Sequence, residues 1–225
     1  MARPPIDRGR AVGLVIIALV LAAFWACVGW GVAQAVGAPG VQATSDRTAA
    51  WLTVTLGVEV EPRRAVVTHA LAYPGSAAEV WSDDLGVYRL RPDIARDVAA
   101  RRPFHVNRRL ATLRGLHVVT HELLHRRETV PCWTPGGVGL NAEEGIVDAL
   151  AVDVLPALAW RLYGERWAFV PVYPREVAAI RAASRFATGA RSWRERAPRL
   201  WRRALWREGC EGRARMLAEA EAARG

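Results

Sequence analysis

Five consecutive residues, His121-Glu122-Leu123-Leu124-His125, restrict this chain more than any other stretch. They close an apolar-periodic run from Leu110 to His125, whose spacing predicts a helix. Residues four apart on a helix lie one above the other on one face. His121 and His125 are therefore expected to present two imidazoles to one point, with the Glu122 carboxylate beside them. The chain has only five His, so composition alone rarely produces such a cluster. His117 lies one turn earlier and extends the stripe. It stands about 12 Å from His125 along the helix axis, and bonds of about 2.1 Å cannot bring both to one ion. Only the pair 121/125 encloses a Glu next to its first His, so His117 is read as a polar supporting or packing residue.

Two imidazoles on one helix face with an adjacent carboxylate form the HExxH pattern of a helix-borne zinc site. The ion activates a water, and the carboxylate takes its proton. Two rings do not complete a catalytic site, which uses three protein ligands and one open position. A third His six residues after the second is excluded, because that residue is Pro131. The next acidic residues on a predicted helix are Glu143, Glu144 and, one turn on, Asp148.

Length and charge narrow the surroundings. The 225 residues allow one domain with a sizeable core plus an appendage. The net charge of +9 comes from Arg alone, since the chain contains no Lys. These Arg interleave with acids along the chain. Arg101-Arg102, Arg108-Arg109 and Arg202-Arg203 are read as solvated faces, and no nucleic-acid partner is expected. Anionic lipid headgroups are the secondary reading of the basic balance.

That reading gains weight at the N-terminus. Residues 2–10 carry Arg3, Arg8 and Arg10 against Asp7, and the run from Ala11 to Ala38 has no charged residue. A run of this length can span a bilayer, with Trp25 and Trp30 as interfacial aromatics toward its far end. The basic flank places residues 1–10 in the cytoplasm and the rest outside. The alternative is a cleaved signal peptide ending at Ala33-Gln34-Ala35, which would make the protein secreted. Cys27 in this run follows a poor lipobox and is read as a buried thiol.

Beyond it, residues 39–45 read as a linker, and 46–225 as one domain of α+β class. Ser45 or Asp46 would cap a helix over Arg47–Leu56 that Gly57 ends. A small mixed sheet is expected from Arg64–Tyr73, Glu79–Ser82 and Gly86–Leu90, with Pro74-Gly75 and Asp83–Gly86 as turns. His69 falls on a strand and reads as an edge residue. A short helix follows over 93–103, then the histidine helix capped by Asn107, then a Pro/Gly loop. Asn141 is the expected cap of the next helix, with Glu144 in a capping box. Pro156 should kink or break that helix, and Gly164 ends it. The rest is mostly helical: one helix from Pro174 through Val177 and Ile180, another from Pro198 with Leu200, Trp201, Ala204 and Leu205 along one side. Outside the cytoplasm Cys132 and Cys210 are expected either to pair or to remain two buried thiols.

With HExxH followed by Glu144-Gly145-Ile146-Val147-Asp148, the chain resembles the gluzincin metallopeptidases, and the small single-domain ones more than the large. The resemblance covers roughly Glu79 to Asp148. It implies a zincin-like fold and Zn2+ held by His121, His125 and Glu144. Asp148 would bond the far nitrogen of one ligand His and so fix its ring. Glu143 is the alternative ligand, but it lacks an acid four residues on. Glu122 becomes the general base of peptide-bond hydrolysis, and Tyr173 the candidate that stabilises the oxyanion. The strand Gly86–Leu90 resembles the edge strand that pairs with an extended peptide substrate. Two rivals follow from the same residues. One is a catalytically silent zincin-like binding or scaffold module of the cell envelope. The other is an envelope adaptor in which HExxH is accidental.

Overall fold

The computed structural model describes residues 39–69, 71, 78–81, 84–99, 106–126, 132, 140–164 and 167–225. The expected membrane span over 11–38, the turns at Pro74-Gly75 and Asp83, and most of the Pro/Gly loop after the histidine helix lie outside these residues. Among the described residues, no helix is long and apolar enough to cross a membrane.

The described residues begin with α1 (Pro39–Leu56), followed by β1 (Arg64–Val67), β2 (Ala78–Trp81) and β3 (Asp84–Leu90). Then come α2 (Pro92–Ala99), α3 (Val106–Leu124), α4 (Leu140–Tyr163), α5 (Pro174–Thr188), α6 (Arg196–Arg207) and α7 (Cys210–Ala222). The class is α+β, with helix dominant and one small mixed sheet.

The expected linker 39–45 is a correction: it forms the first turns of α1. Pro39 suits a first helical position, where its missing N–H is not needed. Val41, Thr44, Ser45, Thr48 and Leu52 then line one buried side. Three of those five are hydroxyl residues, which hid the stripe from a count of apolar positions. Thr44 satisfies its hydroxyl within the helix, on the Gly40 carbonyl at 2.9 Å. Gly57 ends α1 as expected, at φ 64°, a conformation that L side chains rarely adopt.

The sheet has the order β1-β3-β2. β1 runs parallel to β3, with Arg64 opposite Val87 and Val67 opposite Leu90. β2 runs antiparallel to β3, with an irregularity between Val80 and Trp81. The Gly86–Leu90 strand is therefore central, not the edge. Its Tyr88 and Leu90 are fully buried. The antiparallel edge is Ala78–Trp81, and this strand packs against α3. Sheet order depends on tertiary pairing, which the pattern of a single strand does not encode.

α3 and α4 form the centre of the molecule. Leu116, Val119 and Leu124 of α3 and Ile146, Val147, Leu150, Val154, Leu155 and Leu158 of α4 supply much of the core. α4 continues through Pro156, so the expected break does not occur. Pro156 is on the exposed side, and the buried residues before and after it hold both halves in one packed helix. Gly164 closes α4 at φ 71°. α5 packs along α4, and α6 and α7 close over them. The buried side of α6 is Pro198, Arg202, Leu205 and Trp206, not the expected Leu200 and Ala204. Arg202 is thus no solvated residue. Its Nε and Nη2 donate to Asp153 Oδ2 at 2.8 and 2.6 Å, and Nη1 donates to the Ser184 hydroxyl at 3.0 Å. Cys132 and Cys210 form a disulfide. It ties the segment after α3 to the start of α7.

Candidate metal centre

The site is built where the last turn of α3 faces the first two turns of α4. The apolar stripe of α3 buries the helix and carries the His stripe inward: His117, His121 and His125 are all buried. Burial leaves each ring dependent on protein partners, and α4 supplies them as carboxylates.

His121 Nε2 lies 2.8 Å from Glu144 Oε2 and 3.2 Å from His125 Nε2. His125 Nε2 lies 3.7 Å from the same Glu144 oxygen. One ligand atom from each of His121, His125 and Glu144 falls within 4.8 Å of the others, so these three could hold a metal ion. The donor set, two imidazole nitrogens and one carboxylate oxygen, fits the three-ligand pattern of a catalytic site. The helix already includes Leu140 and Asn141, so Asn141 is not its cap; Glu144 lies just past the first turn with its carboxylate on the rings, and the expected capping box does not form.

Carboxylates of the same helix face the outer nitrogens from beyond hydrogen-bond distance. His121 Nδ1 is 3.7 Å from Asp148 Oδ1. That oxygen also bonds His117 Nε2 at 2.6 Å, while Asp148 Oδ2 accepts the Tyr173 backbone N–H at 3.0 Å. His117 is a supporting residue, as its distance from His125 requires. Glu143, the alternative ligand, faces away from the convergence point. It pairs with Arg213, and its Oε1 lies 3.8 Å from His125 Nδ1. Its partner comes from a helix 70 positions on, one Arg among 31 basic residues, and no local signal marks it.

Charges follow from this packing. Burial works against a charged His121, but the carboxylates of Asp148 and Glu144 outweigh it and raise its pKa to about 10. Burial likewise opposes ionisation of Glu144, yet the His121 hydrogen bond and the two imidazoles hold its carboxyl below the ordinary range. Burial pushes the Glu122 carboxyl upward, against the pull of the two imidazoles. Such a shift moves a carboxylate toward the range useful for proton transfer. The helix end that carries Glu122 is fixed from outside: the Arg63 guanidinium bonds the backbone carbonyls of Glu122 and His125. Trp206 Nε1 donates to the Leu124 carbonyl at 2.8 Å. These bonds satisfy carbonyls that a helix C-terminus leaves without intrahelical donors.

Tyr173 is the residue just before α5. Its ring stacks on His121, with centroids 5.6 Å apart and planes 26° from parallel. Burial and the charges of Glu144, Glu122 and Asp148 raise its pKa, so the phenol stays protonated. A protonated phenol beside the ligands can donate to an anionic oxygen. Phe169, on the same connecting segment, meets the His117 ring edge-on at 6.0 Å.

His121, His125 and Glu144 are thus brought to one place, with Asp148 and His117 behind them and the Tyr173 ring stacked on His121. No protein-family model, curated protein or solved structure matches this chain.

Proposed function

We propose that this chain is a zinc-dependent peptidase of gluzincin type, with a zincin-like domain anchored outside the membrane by residues 11–38. The observation that carries the reading is the convergence of His121, His125 and Glu144, with Glu122 next to His121. Two nitrogens and one oxygen in a buried site suit zinc, whose catalytic sites use three such ligands. When bound there, the ion supplies Lewis acidity and lowers the pKa of water toward about 7.

The chain's own groups do the rest. Glu122 takes the proton from the attacking water at its carboxylate and passes it to the leaving amine. Tyr173 donates its phenolic proton in a hydrogen bond to the oxygen on which charge develops. Asp148 sets a negative charge behind the His121 ring and, through its second oxygen, holds the backbone of Tyr173. One carboxylate therefore sets the relation between a ligand and the oxyanion donor. The antiparallel edge strand Ala78–Trp81 beside α3 supports an extended peptide substrate, bound by backbone pairing. The uncharged run and its basic flank support the anchor and its orientation. A cleaved signal would release the same domain as a secreted enzyme.

The test is zinc content and peptide cleavage for the wild type and Glu122→Gln. Metal retained with cleavage lost in the variant supports the enzyme. Metal bound with no cleavage by the wild type supports the silent binding module. A folded wild type that takes up no metal supports the adaptor.

A further inference from the structure

The C-terminal helix reaches the candidate metal site through one side chain. Arg213 lies in the first turn of α7 and is fully buried. Its guanidinium donates to the equally buried Glu143 carboxylate, to the Trp206 carbonyl at 2.6 Å, and through Nε to the Glu208 carbonyl at 3.0 Å. Three acceptors in different directions leave that guanidinium little freedom. Glu143 is held in turn, with its other oxygen 3.8 Å from His125 Nδ1. That is longer than a hydrogen bond, but it sets a negative charge opposite the ring nitrogen that faces Glu144. His121 has the same arrangement, with Asp148 behind it and Glu144 in front.

The end of α7 that carries Arg213 is itself fastened to the histidine helix. Cys210, three residues before Arg213, is disulfide-bonded to Cys132 on the segment that follows α3. Trp206, which accepts from Arg213, donates to the Leu124 carbonyl in the last turn of α3. Arg126, two residues past that helix, bonds the Trp206 carbonyl at 3.2 Å. The α6–α7 corner and the end of α3 thus form one unit around Glu143. A buried Glu–Arg pair on its own would be weak evidence of more than a structural role. Here the carboxylate of the pair also faces a ligand ring.

We propose that Arg213 is a positioning residue for the metal site: it fixes Glu143, and Glu143 fixes the His125 ring for metal binding. This rests on reading His121, His125 and Glu144 as the metal ligands. Partners behind a ligand His typically affect metal affinity about 10- to 100-fold. The test is cobalt(II) titration of the full chain in the wild type, Glu143→Gln, Arg213→Met and the double variant. The apo melting temperature is measured for each. Glu143→Gln keeps the size and an acceptor for Arg213, so it guards against a failure of Arg213→Met to fold. The expected result is a Kd raised at least about tenfold in each folded single variant, with the double variant no weaker than the weaker single. A folded Glu143→Gln with wild-type cobalt Kd, or singles whose effects multiply in the double, would overturn the relay. A lowered melting temperature with unchanged Kd would mark the pair as structural only and would overturn it too. If the wild type binds no cobalt, the ligand assignment itself falls, and this proposal with it. That outcome is distinct from a wild type that binds while the variants match it.

Discussion

Helix α4 carries two sets of buried or largely buried acids, and they differ in what faces them. Near its start, Glu143, Glu144 and Asp148 meet the imidazoles of α3. One turn past Asp148, Asp153 meets a guanidinium: Arg202 donates twice to one Asp153 oxygen and spends its remaining bonds on Ser184 and the Trp193 carbonyl. Both sets are largely buried. Only the first offers several lone pairs to one point on groups that can exchange a proton for a cation. A guanidinium stays protonated and has no lone pair to give. Burial of charge therefore does not make a candidate site; convergence of exchangeable donors does.

The largest expected difference between the two regions is chemical. Glu122→Gln should lower peptide cleavage by about 10³-fold while bound metal stays at the wild-type level, as read by steady-state assay and metal analysis. The Asp153 region should have no such effect. Arg202→Met is expected instead to destabilise the fold by about 3 kcal/mol, because Asp153 is left largely buried without its cation. Denaturant unfolding measures this, and metal affinity of the folded variant should be unchanged. If Arg202→Met weakened metal binding as strongly as a ligand substitution, the separation of the two regions would be lost.

Zinc should stabilise the first region selectively. At about 100 times its Kd, a bound ion adds about 2.7 kcal/mol to the folded state. Thermal melts with zinc and with chelator should differ accordingly in the wild type and in Arg202→Met, but not in His121→Ala.

The smallest effect expected is on acid stability. Asp148, Glu143 and Glu144 all have folded pKa values held below their ordinary values, in each case by charged and hydrogen-bonding partners that overcome burial. A carboxyl so lowered binds fewer protons folded than unfolded. Its stabilising contribution is present above the ordinary carboxyl pKa of about 4 and disappears as pH falls through the folded value. Unfolding followed against pH in chelator should show stability dropping below about pH 4. Asp148→Asn should flatten part of that drop.

The division between legible and hidden features follows the range of the interactions. His121 and His125 were readable because helical spacing puts them on one face, with Glu122 beside the first; the roles of Glu144 and Asp148 came from the resemblance of the two motifs to the gluzincins. Tyr173 was readable as a loop residue ahead of Pro174, though its stacking on His121 was not. The His117–Asp148 bond and the Glu143–Arg213 pair span 31 and 70 positions, and only the tertiary fold brings them together. The linker over 39–45 failed because hydroxyl residues lined the buried face of α1, and the break at Pro156 failed because packing outweighed local propensity. The place of β3 at the sheet centre was invisible for the same reason as the ion pairs: strand order is a long-range property.

The most direct test of the central assignment is the metal stoichiometry of the folded chain, measured by elemental analysis after equilibration with zinc and removal of free ion. One ion per chain in the wild type, lost in His121→Ala, His125→Ala and Glu144→Ala, is the predicted result. Folded wild-type protein that retains no zinc, or ligand variants that retain it fully, would contradict it.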